Sequence, residues 1–351
     1  MWTIQERLRF HILAGMAAID VGLYAEGSMR MRWGDLVVPL VSAAVVLAGA
    51  ASFRRQGRRA HLAATLIAVG QITLFAVLAA ILNYLLLSDR PLIDAELVRL
   101  DAALGVHWPS LFPALKGGIF GQLLTAAYES NGIQLAGVIL LLGFTGRALE
   151  LDRYLLAFFV ATLAALAFWA VLPSLGAAPY FLSTGVMQDW SGATVSPAVA
   201  RAWLDLKSGA LTEMELENLK GLIAFPSLHT VMALLVAYSV REIKIVFWPV
   251  LAWNVLMLVS VPVDGGHHVV DVLAGVLLTV VSVLAARYIV AVAGQRTSPS
   301  PRLRGEGHGG AVPPARGEGQ TLAPAYVAAL HPSPLPIKDG ERGFRDARQT
   351  R

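Results

Sequence analysis

The chain has 351 residues, of which 56% are hydrophobic, 15% are charged and none is cysteine, and its mean hydropathy is +0.61. Soluble globular proteins carry about 25% charged residues, so this composition excludes an ordinary soluble domain and indicates an integral membrane protein. The net charge of +4 arises after Ala293, where nine Lys and Arg residues outnumber five Asp and Glu residues, so it does not indicate a nucleic-acid partner.

Two apolar segments precede residue 60. The segment from Phe10 to Tyr24 is short and contains Asp20, so it is either a weak first span or a helix lying in the membrane interface. The segment from Leu36 to Ser52 is a stronger span, and four arginines follow it. We assign residues 1–59 to N-terminal membrane helices.

The middle of the chain predicts six further spans. They are residues 61–87, 120–144, 154–172, 225–240, 245–261 and 269–292. Residues 92–118 place leucines at helical spacing beside acidic side chains, which is typical of an amphipathic helix on the membrane surface. We therefore predict an all-α integral membrane protein, with a bundle of about six core transmembrane helices in a domain spanning 60–293, plus one or two N-terminal helices.

The last segment, residues 294–351, is rich in Pro, Gly, Ser and Arg. Such a segment buries too little apolar surface to offset the entropy cost of folding. We predict a disordered cytoplasmic tail.

Cationic loops orient the predicted bundle. They are 53–60, 146–153, 241–244 and the tail, and two predicted spans separate each of them from the next. The positive-inside rule places all four in the cytoplasm. Arg90 and two histidine-containing stretches, 224–230 and 264–271, then lie together on the extracytoplasmic face.

The second stretch contains His267 and Asp271, four residues apart at the start of a predicted helix. This spacing places both side chains on one helix face, where a carboxylate fixes the imidazole tautomer and makes the far nitrogen a better nucleophile. Gly265 and Gly266 precede the pair and permit close approach of a substrate.

The first stretch reads Pro226-Ser227-Leu228-His229. Proline suits the first turn of a helix, whose unpaired N–H groups favour an anion. Ser227 adds a hydroxyl donor, and His229 is placed to protonate a leaving oxygen. A donor, a general acid and an oriented nucleophile are together what phosphoryl transfer requires.

Other interpretations stay open from the residues alone. Each histidine is also compatible with a polar residue at the water boundary, and His268 and Asp264 with structural roles. A zinc or iron site built from His229, His267, His268 and Asp271 is a second possibility. A membrane transporter or a non-catalytic scaffold is a third.

The two stretches resemble the type 2 phosphatidic acid phosphatase superfamily, and more narrowly its branch with inositol phosphorylceramide synthases. Pro226, Ser227 and His229 match the Pro-Ser-x-His motif, and His267 with Asp271 matches His-x-x-x-Asp. The resemblance covers roughly residues 60–290. It implies that His267 becomes phosphorylated, that His229 handles the leaving-group proton, and that no cofactor or metal is needed.

Two positions depart from the family pattern. Val261 stands where a phosphate-binding arginine is expected, and Asn83 stands where the first motif has lysine, leaving only Arg90-Pro91 of that motif. Some other cation must neutralise the phosphate. We expect Arg90 and Lys220 to do so, with Ser227 and Gly266 completing the phosphate-binding group.

The resemblance implies an enzyme that acts on a lipid phosphate or phospholipid headgroup among membrane lipids. Transfer to water gives a phosphatase, and transfer to inositol or another polyol gives a headgroup transferase. We expect a bacterial inner (plasma) membrane protein with an extracytoplasmic active site. The sequence leaves the lipid, the acceptor and the oligomeric state open.

Overall fold

The computed structural model describes residues 2–27, 30–57, 60–87, 89–190, 192–210, 213–214 and 222–295. Its helices are α1 (Ile4–Glu26), α2 (Gly34–Arg55), α3 (Ala60–Leu85), α4 (Asp94–Ala103), α5 (Trp108–Lys116), α6 (Gly118–Glu129), α7 (Asn131–Phe144), α8 (Ala148–Val171), α9 (Ala177–Ser183), α10 (Pro197–Lys207), α11 (Leu228–Ser239), α12 (Lys244–Asp264) and α13 (Val269–Gln295). Two short strands, β1 (Arg30–Met31) and β2 (Glu213–Met214), pair in parallel. The predicted all-α membrane fold is confirmed.

The predicted disordered tail beyond Gln295 lies outside the described residues. Lys220, one of the predicted phosphate-binding residues, is also outside them.

Within the described residues, six helices are long and apolar enough to cross a membrane: α1, α2, α3, α8, α12 and α13. The shorter apolar helices α7 and α11 lie among them. Helix α1 has 23 residues, and at 1.5 Å per residue it exceeds the roughly 30 Å of a hydrocarbon core. Its length favours the spanning alternative over the interfacial one.

Two predicted elements are each divided in the structure. The span predicted at 120–144 consists of α6 and α7, which meet at Ser130. The Ser130 hydroxyl donates to the Ala127 carbonyl at 2.7 Å and accepts from Trp253 at 2.9 Å, so it competes for backbone hydrogen bonds at the break. The amphipathic segment 92–118 forms α4 and α5, separated at Gly105, whose φ of 77° ends the first helix.

The centre of the bundle is formed by α3 and α8, which bury large side chains against α7, α11 and α13. Phe75 of α3 stacks on Phe159 of α8 with ring centroids 3.8 Å apart. Both rings are fully buried. This core fixes the positions of α8 and α11, which carry one wall of the site described below.

Ion pairs cluster at one end of the bundle. Arg9 contacts Asp152 at 2.6 Å, and Arg241 contacts Glu150 at 3.0 Å. Arg54 pairs with Glu6 at the same end. The N-termini of α11 and α13 lie at the opposite end, together with both histidine stretches.

Candidate active site

His267 lies in the connection between α12 and α13, and its ring is held through one nitrogen. Its Nδ1 is 3.0 Å from the carbonyl oxygen of Ala224 and 3.2 Å from a carboxylate oxygen of Asp271. Both partners are acceptors, so Nδ1 must carry the proton and Nε2 retains its lone pair. The same carboxylate oxygen accepts the backbone N–H of His268 at 2.9 Å. The arrangement presents Nε2 as a nucleophile of fixed orientation.

His229 occupies the first turn of α11 and stacks on Tyr128, the penultimate residue of α6. The two ring centroids are 4.3 Å apart with 18° between the planes, and the Tyr128 hydroxyl lies 3.5 Å from His229 Nδ1. The stacking restricts rotation of the imidazole. His229 therefore faces His267 with its ring plane already set.

The two histidines lie on one cavity of about 230 Å³. Their ring centroids are 6.3 Å apart. Attack and hydrogen-bond distances are each roughly 3 Å, so this gap is suited to one tetrahedral group between the rings. The remaining polar side chains on the wall are Asn83, Thr162, Tyr128 and Trp203. Apolar residues of α3, α8 and α11, together with Leu175 and residues 222–224, line the rest of the cavity.

Direct contacts join the two histidine stretches. The Ser227 backbone N–H donates to the Asp271 carbonyl at 3.1 Å, in addition to the contact between His267 and Ala224. Gly275 of α13 packs so closely on α11 that a Cβ there would lie 2.7 Å from the Ser227 carbonyl oxygen. The start of α11 and the start of α13 are thus packed as one unit.

The two glycines before His267 have different environments. A Cβ on Gly265 would lie 2.7 Å from His267 Cδ2 and 2.8 Å from the Tyr128 hydroxyl oxygen, so this glycine keeps space open between two site residues. Gly266, with φ of 65°, instead packs on α9, where its carbonyl accepts from Ala178 at 3.0 Å. Gly265 lines the cavity and Gly266 does not.

Ser227 caps α11. Its hydroxyl oxygen accepts the Thr230 backbone N–H at 3.3 Å, and the side chain is fully buried. The capping contact explains serine at this position. The structure therefore assigns Ser227 a structural contact and does not place it among the residues that line the cavity.

His268, next in sequence to His267, points into a different environment. Its ring nitrogens lie 3.4 Å from Asp94 and 3.5 Å from Asp101, both on α4. Burial lowers the pKa of His268, but hydrogen bonds to Asp101 and Asp94 outweigh this effect and raise the pKa to about 9. His268 is therefore a buried cation that ties α4 to the active-site connection.

The two carboxylates that flank His268 also hold backbone groups of the site. Asp101 accepts the N–H groups of Val269 and Val270 at 3.0 and 2.9 Å and so caps α13. Asp94 accepts the N–H of Gly176 and the hydroxyl of Ser174, both at 2.8 Å. Helix α4 thereby fixes the backbone directly after the His267 loop and also the segment 174–176, which packs against that loop.

The expected phosphate-binding cations are not found on the cavity wall of the described residues. Val261 is fully buried in α12. Arg90 is exposed, and its carbonyl accepts from Lys207 at 2.9 Å. Lys116 is close to the site, but its ammonium pairs with Asp264, the last residue of α12. Asn83 does line the cavity, and its side-chain oxygen has no hydrogen-bond partner among the described residues.

The alternative metal site is not assembled. Within the described part of the chain, no group of three or more His, Asp and Glu side chains is arranged to hold a metal ion. His268 points toward α4, away from the gap between His229 and His267. The four proposed ligands therefore do not converge on one point.

Sequence reasoning missed several residues of the site. Tyr128 lies within the span predicted at 120–144 and was not among the predicted site residues. Asp94 and Asp101 were assigned to the polar face of a surface helix, yet both are buried. Their spacing of seven residues, two turns of helix, was the one available signal that they share a face. Lys116 was not selected as the partner of Asp264.

Comparison with known proteins shows which family the chain matches. A family model described as the PAP2 superfamily matches residues 95–285, slightly more than half of the chain. The matched segment runs from α4 into α13 and includes both histidine stretches. No curated protein and no solved structure matches the chain.

Proposed function

Because the chain belongs to the PAP2 superfamily, we propose that it is a membrane lipid phosphatase or phosphotransferase that works through a phosphohistidine. Membership supports a phosphatase or phosphotransferase activity in general. One observation carries the proposed mechanism: an imidazole with its proton fixed on Nδ1 faces a second imidazole across a 6.3 Å gap. The substrate class follows from the bundle, since a site among apolar spans favours a lipid phosphate.

In the proposed first step, His267 Nε2 attacks phosphorus in line. An N–P bond forms, and the P–O bond to the lipid alcohol breaks. His229 donates a proton to the departing oxygen, which leaves as the neutral alcohol. Asp271 stabilises the charge that develops on the His267 ring, because its carboxylate lies 3.2 Å from Nδ1.

In the proposed second step, His229 takes a proton from water or from an acceptor alcohol. The oxygen attacks phosphorus and the N–P bond breaks, which regenerates His267. Water yields inorganic phosphate, whereas a polyol such as inositol yields a new phosphoester. The second product is the headgroup transferase alternative implied by the inositol phosphorylceramide synthase branch.

The phosphate charge needs partners, and we propose a set that differs from the family's arginine. Lys220 is the first member, because Leu222, two residues further on, lines the cavity. Asn83 adds an amide donor at the position of the first-motif lysine. Arg90 remains a proposed partner of the phosphate, and it would have to move toward the cavity. Gly266 and Ser227 contribute indirectly, because they fix the backbone beside His267 and His229.

We also propose that the site faces the extracytoplasmic side of a bacterial inner membrane and that the tail is cytoplasmic. The supporting observation is that Arg54, Arg153 and Arg241 lie at the end of the bundle opposite the histidines. An arginine-rich end is typically cytoplasmic.

A product screen of the purified protein tests the proposal. Phosphatidate, isoprenyl pyrophosphates and phosphoinositides are supplied with and without inositol or glycerol, and free phosphate, released lipid alcohol and new phosphoesters are measured by mass spectrometry. Phosphate release that is independent of alcohol supports a phosphatase, and an alcohol-dependent phosphoester of inositol or glycerol supports a transferase. Turnover of none of these lipids, in protein that is folded and membrane-embedded, would contradict both.

A further inference from the structure

Asp20 of α1 is a buried acid outside the active site. Its relative exposure is 5%, and neither carboxylate oxygen has a hydrogen-bond partner among the described residues. An unpaired carboxylate in apolar surroundings is costly, and ionisable groups within spans are usually functional. The position is therefore suited to a partner that the described residues do not supply.

Asp20 lines a second cavity, of about 280 Å³, between α1, α2 and α3. All other residues on its wall are apolar or aromatic, among them Ala17, Leu36, Val77 and Ile81. The volume is close to the lower end of small-ligand pockets, roughly 300 Å³. One acidic group in an apolar pocket is suited to a ligand with one polar head and an alkyl chain.

The cavity opens toward the lipid. Val21 of α1 and Leu40 of α2 line it and are 70% and 41% exposed on helices that are long enough to cross the membrane, and Trp33, directly before α2, lines it and is 58% exposed. Trp33 and Tyr24 form an edge-on aromatic pair with centroids 5.3 Å apart, as is typical of the membrane–water interface. Asp20 lies four residues before Tyr24, about 6 Å deeper along the helix.

We propose that this cavity binds a membrane amphiphile with a primary ammonium headgroup, which is held by the Asp20 carboxylate. A primary ammonium matches the site in charge, and its three N–H donors are enough for both carboxylate oxygens. An alcohol has one donor and leaves the negative charge unbalanced. A quaternary ammonium is cationic but has no donor at all.

The proposed site is distinct from the active site, although both use the same helix. Val77, Leu78 and Ile81 of α3 face the Asp20 cavity, whereas Ala79 and Asn83 face the histidine cavity. The proposal concerns binding of the amphiphile and involves no reaction of it. The inference therefore goes beyond the proposed function and holds whether or not the chain hydrolyses lipid phosphates.

Photolabelling of the full chain in nanodiscs tests the inference. Octadecylamine, octadecanol and octadecyl-trimethylammonium, each carrying a diazirine in the chain, are compared, and labelled peptides of α1, α2 and α3 are quantified by mass spectrometry. We expect the amine to label these peptides about tenfold more than the other two probes. Asp20→Asn should remove the difference, whereas Asp189→Asn, at an exposed carboxylate, should retain it.

One further measurement and one further variant keep the test decisive. Thermal unfolding without ligand should show Asp20→Asn to be at least as stable as the parent protein, because the change removes an unpaired buried charge. Ala17→Phe retains the carboxylate but fills the cavity, so it should abolish labelling by all three probes. Equal labelling by amine and alcohol in the parent protein, or undiminished amine labelling of either cavity variant, would overturn the inference.

Discussion

Asp271 carries the negative charge beside His267, and replacing it tests the role of that charge directly. In Asp271→Asn the side-chain oxygen can still accept both His267 Nδ1–H and the His268 N–H, but the negative charge that stabilises the positive charge developing on the His267 ring is lost. We expect turnover to fall roughly 100-fold or more with little change in KM. Asp205→Asn, at an exposed carboxylate, is the matched control. Activity within a few-fold of the parent would refute the assigned role.

His268 makes stability depend on pH. Its pKa is raised from 6.5 to about 9 in the folded protein, so its stabilising contribution is fully present below pH 6.5 and is lost as pH rises through 9. Melting temperature should therefore fall between these values. In His268→Asn this decline should be weaker and the protein less stable overall, because Asp94 and Asp101 lose their buried cation.

A matched exposed histidine provides the comparison. His11→Asn should melt with the same pH dependence as the parent protein, since His11 is exposed. The measurement is thermal unfolding in detergent from pH 6 to 9.5. Parallel curves for the parent and His268→Asn would contradict the assigned ion cluster.

The sequence predicts the local part of this chemistry and not the distant part. His267 and Asp271 are one helical turn apart, so their contact follows from spacing alone. The partners of His268 come from more than 160 residues away, and Tyr128 reaches His229 across about 100 residues. No local pattern encodes those pairings, because they depend on how helices of the folded bundle pack.

Gly265, the residue that follows α12, must lack a side chain for His229 and His267 to face each other. In Gly265→Ala the new methyl group would lie 2.7 Å from His267 Cδ2, so the ring must shift. We expect a loss of activity of about 100-fold, since small displacements of reacting groups carry costs of this order. Gly132→Ala in α7 meets no atom within 4 Å and should retain full activity. Equal activities of the two variants would contradict this reading of Gly265.

The length of an apolar segment predicts that it forms a helix, but it does not predict where that helix is interrupted. The span predicted at 120–144 is broken at Ser130 because that hydroxyl engages Ala127 and Trp253. Only the second of these contacts is distant in sequence. The break matters because it positions Tyr128, the penultimate residue of α6, beside His229.

Because the natural chain contains no cysteine, single introduced cysteines can report the orientation of the whole bundle in the membrane. Single cysteines at Ser183, near the histidine end, and at Gln56, near the arginine-rich end, are both exposed positions. A membrane-impermeant maleimide should label Ser183→Cys in intact spheroplasts and label Gln56→Cys only after permeabilisation. The reverse pattern would place the active site in the cytoplasm.

The most direct test of the account is to trap the phosphorylated enzyme. A lipid phosphate labelled with ³²P is mixed with purified protein, the reaction is quenched in alkali within milliseconds, and the labelled peptide is identified. The account predicts an acid-labile, alkali-stable phosphate on His267 that is absent in His267→Asn and retained in His61→Asn, while His229→Asn slows its formation. Label on any other residue, or turnover with no covalent label, would contradict it.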